Sequence, residues 1–135
     1  MFVDTNVLVA AYLWPGGRCQ EVLELIWTEH DFLTSEVVID ELVETFARKF
    51  DISLARIAAI ESDLRFYHVE PWPRSPYELD INDEDDLWIL AAAVAAGSDI
   101  LVTGDREVQS ANSDVAEMEI LSPGAFIERF GIDRS

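Results

Sequence analysis

Residues 83–105 read DEDDLWILAAAVAAGSDILVTGD. Four acids, Asp83, Glu84, Asp85 and Asp86, open the stretch, and negative charge favours the start of a helix. The next ten residues, Leu87 to Ala96, are all apolar, and a helix apolar on every side belongs in a core. Gly97 supplies the residue that closes it. Ile100-Leu101-Val102 then reads as a short buried strand, ending in Thr103-Gly104-Asp105. A buried helix feeding a buried strand is one half of the alternation that builds an α/β layer fold.

The rest of the chain repeats that alternation. Phe2-Val3 reads as a strand, Asp4 as a turn, and the apolar stretch Val7 to Trp14 as a buried helix stopped by Pro15-Gly16-Gly17. Arg18 to His30 places Val22, Leu25 and Ile26 at helical spacing. Asp31 to Thr34 is a second strand. Ser35 is an N-cap, and Val38, Ile39, Leu42, Val43 and Phe46 give the apolar stripe of a helix from Glu36 to Phe50. Ser53 caps another helix, to about Phe66, with Leu54, Ile57, Ala58 and Leu64 as its stripe. Tyr67-His68-Val69 is a third strand. Residues 71–80 hold three of the five prolines and form a loop. After the quoted stretch, Met118 to Leu121 is a fifth strand, and Ser122-Pro123 opens a last helix to Phe130. The expectation is an α/β fold with a mostly parallel central sheet of about five strands.

The chain has 135 residues, 50% of them hydrophobic, which suits one compact domain over residues 1–135. A single cysteine, Cys19, rules out an internal disulfide framework and any Cys-rich zinc site, and reads as a packing residue. No apolar run approaches the ~20 residues of a membrane span. Met1-Phe2-Val3-Asp4 lacks the basic and apolar regions of a signal peptide. The expectation is a cytoplasmic protein without a membrane partner. The net charge is −18, from 27 acids against 9 bases. Eight of the bases are arginines and Lys49 is the one lysine. Such a balance keeps a protein soluble while self-repulsion strains the compact state, as in halophiles. It also opposes nucleic-acid binding, because phosphate contacts need cations. Molar salt weakens that opposition by cutting the Debye length to about 3 Å.

Ligand sites in parallel α/β sheets lie beyond the carboxyl ends of the strands. That rule selects four acids from four segments. Asp4 follows the first strand and Asp105 follows the fourth. Asp86 sits in the first turn of the apolar helix. Glu41 lies beside Leu42, near the buried edge of its helix. Each has a plainer reading alone: Asp4 as a turn residue, Glu41 as a solvated helix acid, Asp86 as a helix-start charge, Asp105 as the cap of a short helix. Gathered together they would repel, and a divalent cation offsets the repulsion. Oxygen ligands favour Mg²⁺ or Mn²⁺, ions that serve phosphoryl chemistry. No histidine enters this scheme, and His30 and His68 read as structural or solvent-facing.

Four segments carrying these acids resemble one known family. Val3-Asp4-Thr5-Asn6-Val7-Leu8, Ser35 to Leu42, Asp86-Leu87-Trp88-Ile89-Leu90-Ala91 and Leu101-Val102-Thr103-Gly104-Asp105 occur in the order found in the PIN domain, a metal-dependent ribonuclease fold that includes the VapC-like toxins of toxin–antitoxin pairs. The resemblance implies an α/β/α sandwich and endonucleolytic RNA cleavage by a metal-activated water. It implies that Asp4, Glu41, Asp86 and Asp105 are catalytic and hold Mg²⁺ or Mn²⁺, with Thr5, Asn6 and Thr103 as supporting polar groups. Asp83 and Asp85 stand as alternates for Asp86. Arg106 is the best placed phosphate contact, with Arg18, Arg48 and Arg74 behind it. An antitoxin partner and a homodimer follow from the same resemblance. Trp72, between two prolines, is the tryptophan to expect at the surface, against RNA or a partner. Two other classes fit parts of the pattern: an aspartyl-phosphate phosphatase or phosphotransfer domain, and a catalytically weak module that binds RNA or an antitoxin. The charge balance itself makes a prediction: raising KCl from low to molar concentration raises the thermal midpoint, and a midpoint that falls would refute the salt-adapted reading.

Overall fold

A computed structural model describes residues 1–131, and the last four residues of the expected 1–135 domain lie outside the described residues. The chain resolves into two compact units, one built from Met1–Phe32 with the chain from Asp99 on, the other from Leu33–Ser98.

The first unit holds three strands, β1 (Phe2–Val3), β4 (Ile100–Val102) and β5 (Glu119–Leu121). β4 lies between the other two and is parallel to both, with Phe2 opposite Leu101 and Leu101 opposite Ile120. Apart from the half-buried Glu119, their side chains are apolar and buried, as both-face covering of a parallel sheet requires. α1 (Thr5–Leu13) starts directly from β1, with Asp4 as its cap, and packs on α2 (Arg18–Glu29). α2 buries Val22, Leu23, Leu25 and Ile26, and packs in turn on α7 (Pro123–Phe130). Ser122 caps α7 through the Ala125 N–H, with Pro123 in the first turn as expected. His30 is a packing residue here, its ring 5.1 Å from Phe130 and 6.2 Å from Phe126.

The second unit holds β2 (Leu33–Ser35) and β3 (His68–Glu70), paired in parallel with Thr34 opposite Val69. Ser35 ends β2 and caps α3 (Glu36–Lys49), its Oγ accepting from the Val38 N–H at 3.3 Å. Ser53 caps α4 (Leu54–Arg65) in the same way. Arg65 forks onto both oxygens of Glu36 at 2.6 and 2.9 Å, tying α4 to the start of α3. That hydrogen bonding holds the Glu36 carboxyl below its ordinary range. α5 (Glu84–Ala95) packs on β2 and α3. All five strands are thus in parallel pairs.

Three readings of burial change. The stretch Val7 to Trp14 is not buried throughout, because Trp14 stands at the C-cap of α1, past its last turn, and is 59% exposed. α4 does not bury Leu54 or Ala58; Leu54 is 82% exposed, and the buried stripe is Ile57, Ile60 and Leu64. Leu54 is the first residue of its helix, so it lies at the edge of the packed stretch. α5 is not enclosed on every side either. Its buried face is Asp86, Ile89, Leu90, Ala92 and Ala93, while Trp88 is half-buried and Ala95 exposed. Alanine is the reason: it is apolar in composition yet tolerates water, so a run of alanines marks helix propensity more than depth. A short helix, α6 (Arg106–Ser110), follows Asp105, which the sequence offered as the cap of a short helix, and a 3₁₀ turn, Asn112–Asp114, comes after it. No helix among the described residues is long and apolar enough to cross a membrane.

Gly97 follows α5 at φ +74°, and nothing lies within 4 Å of where a Cβ would stand. The cost of Gly97→Ala is therefore conformational alone, about 1–2 kcal/mol. A urea melt should show that loss without a change in slope.

Candidate active site

Asp4 leaves β1 in an extended conformation, and its backbone N–H donates to the Val102 carbonyl at 2.9 Å. This extends the β1–β4 pairing by one residue and fixes the side chain at the carboxyl end of both strands. The carboxylate is 3% exposed. Its Oδ1 accepts from the Thr5 N–H at 2.7 Å, at the start of α1. Its Oδ2 accepts from the Thr103 hydroxyl at 2.6 Å. Thr103 follows β4, so the residue after one strand clamps the residue after its neighbour. The same Thr103 oxygen accepts from the Asp105 N–H at 3.1 Å. One threonine thereby places both acids of this unit.

Around that pair, Asn6 accepts from the Gly104 N–H through Oδ1 at 3.2 Å. Asp105 caps α6, its Oδ1 accepting from Glu107 N–H at 2.8 Å and Val108 N–H at 3.3 Å. The plain reading of Asp105 as a cap is thus realised. It uses one carboxylate oxygen and holds the group in one orientation. Arg106 comes next and is exposed. The Gln109 side-chain amide, which the sequence did not single out, donates to the Thr103 carbonyl at 2.8 Å. The Thr5 hydroxyl is buried and makes no hydrogen bond among the described residues.

In the other unit, Glu41 is half-buried beside the fully buried Leu42. The acid run at the head of α5 sorts itself by position. Asp83 is the N-cap, its Oδ1 accepting from the Asp85 N–H at 3.0 Å. Glu84 and Asp85 are exposed. Asp86 alone is buried, at 8% exposure, on the face that also carries Ile89 and Leu90. Its backbone N–H donates to the Asp83 carbonyl, so the charge sits where the helix N-terminus favours it.

Glu41, Glu44 and Asp85 border two adjoining cavities. One, of about 140 Å³, is walled by Val37, Asp40, Trp72 and Trp88. The other, of about 310 Å³, has Thr45, Arg48, Lys49 and Asp83. Trp72 is exposed, as its place between prolines suggested, and its indole N–H donates to Asp40 Oδ2 at 2.8 Å. Arg48, one of the expected phosphate contacts, pairs with Glu44 at 3.1 Å. Among the described residues, no three His, Cys, Asp or Glu side chains form a ready-made metal cage.

The Thr103 clamp has a measurable value. Thr103→Val removes a hydrogen bond to a buried charge and should cost about 1.5–3 kcal/mol. Thr103→Ser keeps the hydroxyl and should cost clearly less. Equal losses in a denaturant melt would show that the methyl group, and not the bond to Asp4, is what matters.

The PIN domain family matches residues 1–107. The crystal structure of VapBC2 from Rickettsia felis, bound to a DNA fragment from their promoter, superposes with a TM-score of 0.63. The identity is 18%, over 90% of this chain and 96% of that one. At that identity the likeness speaks to the fold, which is the PIN-like α/β/α class expected from the strand and helix order. No curated protein matches the chain. The family match takes in β1, α3, α5 and β4 with their four acids, and PIN domains are as a family nucleases; on that span the chain belongs to the PIN domain family.

Proposed function

We propose that the protein is an endoribonuclease dependent on Mg²⁺ or Mn²⁺, and the toxin of a toxin–antitoxin pair. The observation that carries the reading is the Asp4 carboxylate. It is buried, fixed by Thr5 and Thr103, and set at the carboxyl end of two parallel strands, where α/β folds place their chemistry. A second buried carboxylate, Asp86, lies at the head of α5. Buried carboxylates are costly without a compensating charge. The donors on offer are oxygens, which suits Mg²⁺ or Mn²⁺, and Mg²⁺ keeps several waters and needs few protein ligands.

The assignment gives Asp4, Glu41, Asp86 and Asp105 the task of holding the ion. When bound, it supplies an activated water and neutralises charge on the scissile phosphate. The chain's own contribution is orientation. Thr103 and Thr5 stop Asp4 from rotating. The α6 backbone does the same for Asp105. Asn6 and Arg106 lie beside that acid pair and are assigned to the phosphate. An aspartyl-phosphate mechanism is disfavoured, because Asp4-Thr5-Asn6 lacks a second aspartate two residues on and the one lysine, Lys49, ends α3 rather than following a late strand. A partner protein of the antitoxin class is inferred from the VapBC2 likeness, and a homodimer and a single working domain belong to the same proposal. The 87% exposed Phe66 and the 82% exposed Leu54, at the two ends of α4, are surface that such a partner would cover.

Asp4→Asn and Asp86→Asn should each abolish Mg²⁺- or Mn²⁺-dependent cleavage of single-stranded RNA while the fold survives. Saturating ion, at 100 times its dissociation constant, should raise the stability of the unmutated protein by about 2.7 kcal/mol. It should leave either variant nearly unmoved. Full cleavage by both variants would end the proposal.

A further inference from the structure

The cavity beside Glu41 is bounded by two indoles set as a corner. The Trp72 and Trp88 rings stand 5.7 Å apart at 68°. Trp72 is 49% exposed, so part of its ring faces water. It is nevertheless held, because its N–H donates to Asp40 at 2.8 Å. A fixed, half-open indole is a stacking platform prepared before a ligand arrives. Asp40 and Glu41 are consecutive, so the platform is built on the same helix turn as a residue assigned to the metal.

Resting on the ribonuclease reading, we propose that this corner is a nucleobase subsite selecting guanine in the nucleotide next to the scissile phosphate. The choice of base follows from the polar groups left to read it. Asp40 is occupied by the Trp72 N–H. Glu44 is paired with Arg48. Glu41 belongs to the reaction. Asp85 remains: it is exposed, borders the cavity, and is a hydrogen-bond acceptor only. A carboxylate has two adjacent acceptor oxygens and matches an edge bearing two adjacent donors. Guanine presents that edge, with its ring N–H beside its amino group. Adenine and cytosine place an acceptor next to the amino group, and uracil flanks its one N–H with two carbonyls. Single-stranded RNA is read in this manner, by stacking on aromatic rings and hydrogen bonding along the base-pairing edge. Beyond Glu41 and Asp85, the adjoining cavity carries Lys49, the chain's one lysine, where a flanking phosphate needs a cation.

Two measurements test the inference. In the first, the indole N–H signals of the full chain are followed by NMR during titration with GMP, AMP, CMP and UMP, without metal and without cleavage. GMP should shift the Trp72 and Trp88 signals at concentrations about tenfold lower than the other three, in line with what one base stack and edge pairing contribute. Trp72→Leu and Asp85→Asn should each remove that difference. In the second, cleavage of an RNA of mixed sequence is mapped. The unmutated protein should cut beside guanine, and Trp72→Leu should still cut, with the preference lost. Equal response to all four nucleotides, or a response to an arginine-rich peptide and none to GMP, overturns the subsite. A GMP response in a protein that cleaves no RNA would leave the subsite standing and remove the ribonuclease reading instead.

Discussion

One hydrogen bond, from the Thr103 hydroxyl to Asp4 Oδ2, joins the end of β4 to the end of β1 at 2.6 Å inside the protein. A carboxylate this deeply buried must be satisfied or it will not stay charged and in place. Three features of the first unit are arranged around that requirement. β1 and β4 are parallel, so their carboxyl ends coincide. α1 starts without a linker, so the Thr5 N–H meets the other oxygen. The turn after Thr103 is short, so Asp105 returns to the same hydroxyl. The strands are only two and three residues long. The acid is therefore a part of the sheet's end rather than an ornament on it.

Charge shapes the rest. With 27 acids against 9 bases, cations are scarce. Several of them are committed to neighbouring carboxylates: Arg65 to Glu36 and Glu61, Arg129 to Glu119, Arg48 to Glu44. Pairs so exposed contribute little to stability. Their larger effect is to break up the negative field locally. Few positive charges are left to oppose the negative field over the rest of the surface.

The strand and helix order was legible from residue type. Caps at Ser35, Ser53 and Ser122, the stop at Gly97, and the apolar runs of β1 and β4 all announce themselves locally. Within residues 83–86 the register favoured Asp86, which has Ile89 and Leu90 on its own face, while Asp83 and Asp85 stayed open as alternates. Depth was harder to read. Leu54 and Trp88 are apolar and were expected inside, but burial depends on what lies across from a residue, which no local pattern contains. α6 was legible only through its cap at Asp105, because five residues are too few to show a period. The Thr103 clamp was expected in outline, yet its double role was hidden: that one hydroxyl serves two acids depends on strand pairing across about a hundred residues. The Asp40 bond to Trp72 was likewise beyond a linear reading.

The same distance in sequence has a consequence for synthesis. Phe2 and Val3 are translated about a hundred residues before Ile100–Val102, the strand they pair with. At ordinary elongation rates the partner is made on the order of ten seconds later. Throughout that interval β1 has no β4 to lie against and Asp4 has no threonine to hold it. The nascent polypeptide therefore carries Asp4 without that clamp until β4 is made, and the carboxyl end of β1 takes its final form only then.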